Sequence, residues 1–254
     1  MITVVVPIFN EQDNIKPLLD EITQAAKLVP ISEIIYVDDA STDNTYDTLT
    51  ALRDDFPALR ILKHQKNAGQ SAALWTGVKN AGNDIVVTLD GDGQNNPADI
   101  PLLYAKYENE KAATPQIMVM GERTKRNDSW IKRKSSKFAN RIRAALLKDN
   151  TRDTGCSLKL FKRRDYLNLP YFNHMHRFLP ALMMRDGIKT IHVGVSHRPR
   201  VSGVSKYGTL DRLAAGIVDL WGVFWLMKRG RRTFETTEII DAEEFDNVHI
   251  ANFT

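Results

Sequence analysis

Asp84-Ile85-Val86-Val87-Thr88-Leu89 runs directly into Asp90-Gly91-Asp92-Gly93-Gln94, and the reading of that junction decides the fold. A short apolar run rich in β-branched residues reads as a buried strand. It delivers the chain to two carboxylates two positions apart, flanked by glycines that allow backbone and phosphate to approach closely. Hard divalent cations such as Mg²⁺ and Mn²⁺ take oxygen ligands and often bind through a few carboxylates plus substrate phosphates. A calcium loop does not fit, because Asn95 stands where that loop needs glycine and Pro101 where its closing glutamate belongs. The phosphate loop ending in Gly-Lys-Ser/Thr and the dinucleotide-binding glycine fingerprint are both absent.

Working outward, strand-like and helix-like periods alternate. Ile2 to Val6 reads as a buried strand, and Ile15, Leu18, Leu19, Ile22, Ala25, Ala26 and Val29 fall at helical spacing. Glu33 to Val37 is a second strand ending on Asp38-Asp39, with Ser41 and Thr42 placed to cap the next helix through Leu49 and Leu52. Arg60 to Lys63 is a third strand, Gly69 opens a helix, Asp84 to Leu89 is the fourth strand, a helix starts near Pro97, and Gln116 to Met120 is a fifth strand. This alternation predicts an α/β fold with a mostly parallel sheet covered on both faces. Ligands of such sheets sit beyond the carboxyl ends of the strands. Asn10-Glu11, Asp38-Asp39 and Asp90-Asp92 all fall there, so they are expected to share one site.

The second half is less regular. A basic helix is expected over about Trp130 to Lys148, then a polar loop around Asp153-Thr154-Gly155-Cys156, a strand near Leu158 to Phe161, a helix over Phe178 to Arg185, and a strand over Lys189 to Val195. The loop from His197 to Gly208 leads into an apolar helix, Leu210 to Met227. Its uncharged stretch is interrupted at Asp219 and is too short for about 30 Å of hydrocarbon. Rich in Trp and ending Lys228-Arg229-Gly230-Arg231-Arg232, it suits a headgroup-level membrane helix, a subunit interface or plain core, and the three readings stay open.

Composition bounds the rest. With 254 residues and 43% hydrophobic content, the chain suits one large α/β domain and is too polar for a membrane protein. One cysteine, Cys156, leaves no internal disulfide, so a reducing, cytoplasmic compartment is expected. Met1 passes straight into a strand with no export signal, and the triplets at Asn127 and Asn252 are then chance matches to a glycosylation acceptor. The net charge of +4 is uneven: six acids and no Lys or Arg follow from Glu235 onward, so the preceding chain carries +10. Ten Lys or Arg fall between Arg123 and Lys148 against the single acid Asp128. Such a stripe suits phosphates or is a solvated helix face; with few interleaved aromatics it does not argue for nucleic acid.

Val6-Pro7-Ile8-Phe9-Asn10-Glu11, Val37-Asp38-Asp39-Ala40-Ser41-Thr42-Asp43 and Asp90 to Gln94 together resemble the family-2 glycosyltransferases of the GT-A fold. Gly121-Glu122-Arg123, Asp153 to Cys156 and Arg200-Val201-Ser202-Gly203-Val204-Ser205-Lys206 are most similar to dolichol-phosphate mannose synthases and bacterial polyprenyl-phosphate sugar transferases. The likeness runs from about Ile2 to Met227. It implies a single GT-A domain over 1–232, with a nucleotide-sugar half (1–122), an acceptor half (123–208), an amphipathic helix (209–232) and an acidic tail (233–254). It implies that Pro7, Asn10, Glu11, Asp38, Asp39 and the Asp90-Gly91 turn cradle the nucleotide sugar of a UDP- or GDP-linked donor. Asp90, Asp92 and Gln94 would hold Mg²⁺ or Mn²⁺; Arg123, Arg133, Arg200 and Lys206, with Asp153, would serve the leaving diphosphate and the acceptor phosphate. Asp90, Asp92, Arg123, Arg200 and Lys206 are the implied catalytic set.

The implied reaction is inverting transfer of a sugar to a polyprenyl phosphate. Relatives that glycosylate hydroxyls usually carry an acidic Glu-Asp pair in the second half, where this chain reads His174-Met175-His176-Arg177-Phe178. A phosphate with a second pKa near ~6 is already anionic at neutral pH and needs no strong base. Asp153 is the first candidate should a base be needed after all. A hydroxyl acceptor and an inactive nucleotide-sugar-binding protein remain the alternatives. The Gln-x-x-Arg-Trp motif of processive synthases is absent. His174 and His176 have ligand-like spacing but are read as hydrogen-bonding residues. Peripheral contact with the cytosolic face of a membrane and self-association through the last helix are the expected further partners.

Overall fold

The computed structural model describes residues 1–124, 143, 145–149, 151, 153–199 and 209–229, with side chains of the last segment described from 216 onward. Seven strands form one sheet: β1 (Ile2–Ile8), β2 (Ile31–Asp38), β3 (Leu59–Lys63), β4 (Ile85–Thr88), β5 (Ile117–Arg123), β6 (Lys159–Lys162) and β7 (Lys189–Val195), in the order β3-β2-β1-β4-β6-β5-β7. The pairings β1–β2, β1–β4, β2–β3 and β5–β7 are parallel, and β6 runs antiparallel to both its neighbours, β4 and β5. The mostly parallel sheet expected from the sequence is therefore present, with one reversed strand set into it.

The period-two alternation of each strand sorts its side chains between two cores. Val4, Val6, Tyr36 and Val87 face a layer built by α1 (Ile15–Ala25), α2 (Thr45–Leu52) and α4 (Ile100–Glu110). Val5, Ile35, Val37 and Val86 face the other layer, built by α3 (Gln70–Asn80), α5 (Arg163–Leu167), α6 (Leu179–Arg185) and α7 (Thr209–Lys228). Every residue of β1 is buried, as a central strand covered on both faces must be. Helix α3 lies so close to β1 that a Cβ on Gly77 would come within 2.3 Å of Val5 Cγ1. Only glycine permits that approach without moving the helix off the sheet.

One local expectation is corrected. Ser41 and Thr42 do not cap α2, whose N-cap is Asn44 and makes no side-chain cap bond. Their hydroxyls are used across the strand ends instead: Ser41 Oγ accepts from the Asn10 amide (2.9 Å) and Thr42 Oγ1 accepts from Asn10 Nδ2 (3.1 Å). Asn10 sits at φ 54°, a left-handed position that asparagine tolerates, and these bonds hold that turn. The helix expected to start near Pro97 does so: a 3₁₀ turn (Pro97–Asp99), capped by Asn96, runs into α4 at Ile100.

Most of the expected basic helix, residues 130–142, lies outside the described residues. Arg143 does not belong to a solvated face: it is 7% exposed, pairs with Asp149, and burial lowers its pKa to about 10. In α7, Val223 is buried against the second core while Ile217 (51%), Val218 (71%), Trp221 (61%) and Trp225 (57%) are exposed on the outward side. Asp219, which interrupts the apolar run, bonds His174 Nδ1 at 2.9 Å. Among the described residues no helix is long and apolar enough to cross a membrane.

Candidate active site

The carboxyl ends of β1, β2 and β4 are adjacent in the sheet, so their carboxylate-bearing turns meet at one rim. Asp38 is fully buried; its Oδ1 accepts from the Ser41 amide (2.9 Å), and its Oδ2 has no hydrogen-bond partner among the described residues. Asp39 organises the turn before α3. Its Oδ1 accepts from the Ala68 amide (2.9 Å) and meets His64 Nδ1 (2.7 Å), while Oδ2 accepts from the Gly69 amide (2.7 Å). The Glu11 amide donates to Thr45 Oγ1 (3.0 Å), and Glu11 Oε2 accepts from Asn14 Nδ2 (2.7 Å). Pro7 continues β1 into this rim, and its carbonyl lies 3.1 Å from where a Cβ on Gly91 would sit, with Ile8 Cγ2 at 2.3 Å. The carboxylate turn thus lies directly on the end of β1, and residue 91 has to be glycine.

Within that turn, Asp92 is 8% exposed and its Oδ1 accepts from the Gln94 amide (3.1 Å). The Asp90 amide donates to Asn95 Oδ1 (3.2 Å), an oxygen that also accepts from Ser157 Oγ (2.6 Å). Asp90 Oδ1 accepts from Gln70 Nε2 at 2.6 Å. Burial first, and the neighbouring Asp92 charge second, push the Asp90 carboxyl up to about 6. Two crowded carboxylates repel each other, and a hard divalent cation would relieve that repulsion, with substrate phosphates completing its shell. Asp90 and Asp92, with Gln94 next in the turn, could therefore hold Mg²⁺ or Mn²⁺. Among the described residues no group of three or more His, Cys, Asp or Glu is arranged to hold a metal ion.

On the far side of β6, Arg123 and Asp153 form a two-point ion pair, Nε to Oδ2 and Nη2 to Oδ1 both at 2.6 Å, with the Arg123 amide adding 3.2 Å to Oδ2. The Asp153 side chain is 6% exposed. Arg133, Arg200 and Lys206 lie outside the described residues.

Three residues that the sequence reading does not single out stand in this region. Gln70 holds Asp90 from the start of α3. Lys159 is 3% exposed, donates from Nζ to the Cys156 carbonyl, and feels the charges of Asp90, Asp153 and Arg123. A lysine inside Leu158-Lys159-Leu160-Phe161, a strand buried on both faces, is the trace that could have exposed it. Arg198 is the third.

The histidines are structural. His176 Nδ1 meets Ser71 Oγ at 2.7 Å; burial chiefly, then the charges of Arg177, Lys159 and His174, push its pKa down to about 3. An unfolded histidine titrates near ~6.5, so between there and about 3 the unfolded chain binds the extra proton. Stability contributed by neutral His176 is complete above that upper value and is lost as the pH falls. Urea unfolding is expected to weaken by roughly 1 kcal/mol per pH unit below about 6.5 from this group, and His176→Gln should flatten the slope. An unchanged slope in the variant would assign the acid sensitivity elsewhere.

A mostly parallel α/β sheet with carboxylate turns at the ends of β1, β2 and β4 defines a GT-A-type nucleotide-sugar fold. The sequence profile described as Glycosyl transferase family 2 matches residues 3–169, and the chain belongs to that family. It is 34% identical over 233 residues to the dodecaprenyl-phosphate galacturonate synthase of Rhizobium johnstonii, covering 89% of this chain and 67% of the relative. It is 33% identical over 212 residues to the undecaprenyl-phosphate 4-deoxy-4-formamido-L-arabinose transferase of Serratia proteamaculans, covering 82% of this chain and 63% of the relative. The chain thus spans about two thirds of the length of these curated relatives, and the expected kinship with bacterial polyprenyl-phosphate sugar transferases is borne out. Among solved structures, glucosyl-3-phosphoglycerate synthase from Mycobacterium tuberculosis in complex with Mn²⁺, UDP and glucosyl-3-phosphoglycerate matches with a TM-score of 0.63 at 21% identity, covering 95% of this chain and 85% of that one. The same enzyme with Mg²⁺ and UDP matches with a TM-score of 0.62 at 20% identity, covering 96% and 85%. At that identity the likeness establishes the fold.

Proposed function

We propose that this chain moves a sugar, with inversion, from a nucleotide-sugar donor to a polyprenyl phosphate with the help of Mg²⁺ or Mn²⁺. The observation that carries the choice of acceptor is Asp153. It is the leading candidate for a catalytic base, and Arg123 holds both its oxygens in a buried ion pair. A carboxylate so held is a poor proton acceptor for a hydroxyl. A phosphate acceptor arrives already ionised and needs none. The two curated relatives carry dodecaprenyl phosphate and undecaprenyl phosphate in their names, which supports the same reading.

In this reading Pro7, Asn10, Glu11, Asp38, Asp39 and Gly91 cradle the nucleoside, with the unpartnered Asp38 Oδ2 offering an acceptor to a base N–H. Asp90, Asp92 and Gln94 would hold the cation, which would supply positive charge for the leaving diphosphate. Arg123, Arg133, Arg200 and Lys206 supply positive charge to the two phosphate groups, with Asp153 fixing the Arg123 fork. A phosphate oxygen of the acceptor forms the new bond to the anomeric carbon as the bond to the diphosphate oxygen breaks, and that electron pair departs with the nucleoside diphosphate. The test is transfer by the purified chain from a panel of UDP- and GDP-sugars with Mn²⁺, comparing undecaprenyl phosphate with simple sugars. Transfer to sugars alone would replace this acceptor with a hydroxyl, and donor binding without turnover would favour a sensor.

We further propose that the outward side of α7 rests on the cytosolic face of an anionic membrane, where a lipid phosphate acceptor resides. Ile217, Val218, Trp221 and Trp225 lie within one arc of the helix, and Arg229 sits 5.7 Å from the Trp225 ring. Aromatic side chains flanked by cations suit the headgroup region. Each large side chain withdrawn from water contributes about 1.5–3 kcal/mol. The double variant Trp221→Ser, Trp225→Ser is expected to weaken binding to phosphatidylglycerol vesicles by at least ~10-fold. Concentration-dependent dimerisation without vesicle binding would instead make this arc a subunit interface.

A further inference from the structure

The consecutive residues Ala68 to Ser71, where α3 begins, bond to three other segments of the chain. Gly69 takes φ 88°, in the left-handed region that glycine enters freely, and its carbonyl accepts from the Ala72 and Ala73 amides at 3.0 and 3.1 Å. The Ala68 and Gly69 amides donate to the Asp39 carboxylate. Ser71 is buried; its Oγ meets His176 Nδ1 at 2.7 Å and accepts from the His176 amide at 3.3 Å. Further along, Gly77 presses α3 onto β1. The backbone at position 70 is therefore fixed on several sides. From it the Gln70 side chain, itself exposed, crosses to Asp90 and donates from Nε2 to Oδ1 at 2.6 Å.

Elsewhere the carboxylate turn is held through its backbone. The Asp90 amide donates to Asn95 Oδ1. At the far end the Gln94 carbonyl accepts from the Arg198 amide at 3.1 Å, and Arg198 is anchored by its fork on the two Glu21 oxygens of α1 at 2.7 and 2.9 Å. None of these bonds sets the direction of the Asp90 carboxylate. The Ser157 hydroxyl stands close by, but its proton goes to Asn95 Oδ1 at 2.6 Å. Gln70 is what remains. An ionised carboxylate only accepts, so the end of the Gln70 amide that faces it is the NH₂ group. Like charges side by side repel, and an unrestrained Asp90 side chain would swing away from Asp92. From this geometry we infer that Gln70 is a positioning residue for the donor half of the site. It holds the Asp90 carboxylate beside Asp92 before a cation arrives, so that the pair is already set for Mg²⁺ or Mn²⁺ and the donor diphosphate. The inference rests on the proposed metal role of the Asp90–Gln94 turn. Because Gln70 is exposed, replacing it opens no cavity in the core, and what is lost is its bond to Asp90.

Calorimetric titration of the full chain with UDP, without metal and across a series of Mn²⁺ concentrations, reads this role directly. Gln70→Met keeps the length of the side chain and removes its donor. It is expected to raise the Mn²⁺ concentration for half-maximal UDP binding about 10-fold, the scale of a lost hydrogen bond to a charged group, and to leave metal-free UDP binding as it was. Gln70→Ala should do the same, and it carries the readings alone should Gln70→Met fail to fold. A Mn²⁺ requirement unchanged within about twofold in a folded variant overturns the inference and leaves the site assignment standing. A lowered requirement also overturns it, since Gln70 would then compete with the cation for Asp90. Equal losses with and without Mn²⁺ do so as well, because the role would then lie with the nucleoside. Absence of Mn²⁺-dependent UDP binding in the unaltered protein overturns the metal role of Asp90–Gln94, and the inference with it.

Discussion

Replacing Asp92 with Asn is expected to lower sugar transfer by ~10²- to 10³-fold while leaving the fold in place. The expected persistence of the fold follows from geometry. Asp92 Oδ1 accepts from the Gln94 amide, and an asparagine oxygen in the same position accepts equally well. What the substitution removes is charge. Asp92 is the second cause, after burial, of the raised Asp90 pKa, so Asp90 should ionise more readily in the variant. Two charges at the turn nevertheless become one, and a hard cation loses an anionic oxygen ligand. Titration of UDP with Mn²⁺ should show the loss in the dissociation constant, and turnover should follow it. Unchanged turnover would remove the metal role from this turn.

Asp153→Asn has the second large expected effect, and it separates two readings of that carboxylate. The Asp153 and Arg123 side chains are 6% and 15% exposed, so removing one charge leaves the other in a largely dry place. Breaking such a pair costs about 3–5 kcal/mol, which urea unfolding should show as a lower midpoint at unchanged slope. Activity should fall as well, because the Arg123 fork loses its anchor. The double variant Asp153→Met, Arg123→Met is expected to regain most of the stability, since no charge is then stranded, and to regain none of the activity. A base would behave otherwise: Asp153→Asn would remove one limb of the pH–rate profile with little loss of stability.

Much of this architecture is legible in the residues themselves. The strands reveal themselves through apolar runs that deliver acids at their carboxyl ends, and β7 falls on Lys189–Val195, where the pattern places it. What stays hidden is anything settled by partners remote in sequence. Ser41 and Thr42 have the composition of helix caps, yet their hydroxyls go to Asn10, 31 and 32 positions away along the chain. Arg143 reads as one cation in a stripe; its partner Asp149 is only six positions away, but the spacing carries no helical or strand period that would have paired them. Gln70 and Arg198 carry no local mark, because their importance comes from Asp90 and Glu21, which tertiary packing brings to them. Lys159 is the exception, since a charge in a strand that must be buried on both faces already asks for an explanation.

The reversed strand β6 has a consequence for distance. β4 and β5 point the same way, and without β6 between them their ends would lie one strand spacing apart, about 4.8 Å. With β6 inserted, the Asp90 turn and Arg123 are set on rims roughly 10 Å apart. In the proposed reaction that gap would seat the sugar ring between the donor diphosphate at the Asp90 turn and the acceptor phosphate near Arg123. Because β6 enters from the same rim, its first residue, Lys159, aligned with Thr88 of β4 and Met120 of β5, lies beneath the middle of the gap. The strand is thus a ruler between the two banks, with a buried positive charge set into its upper end.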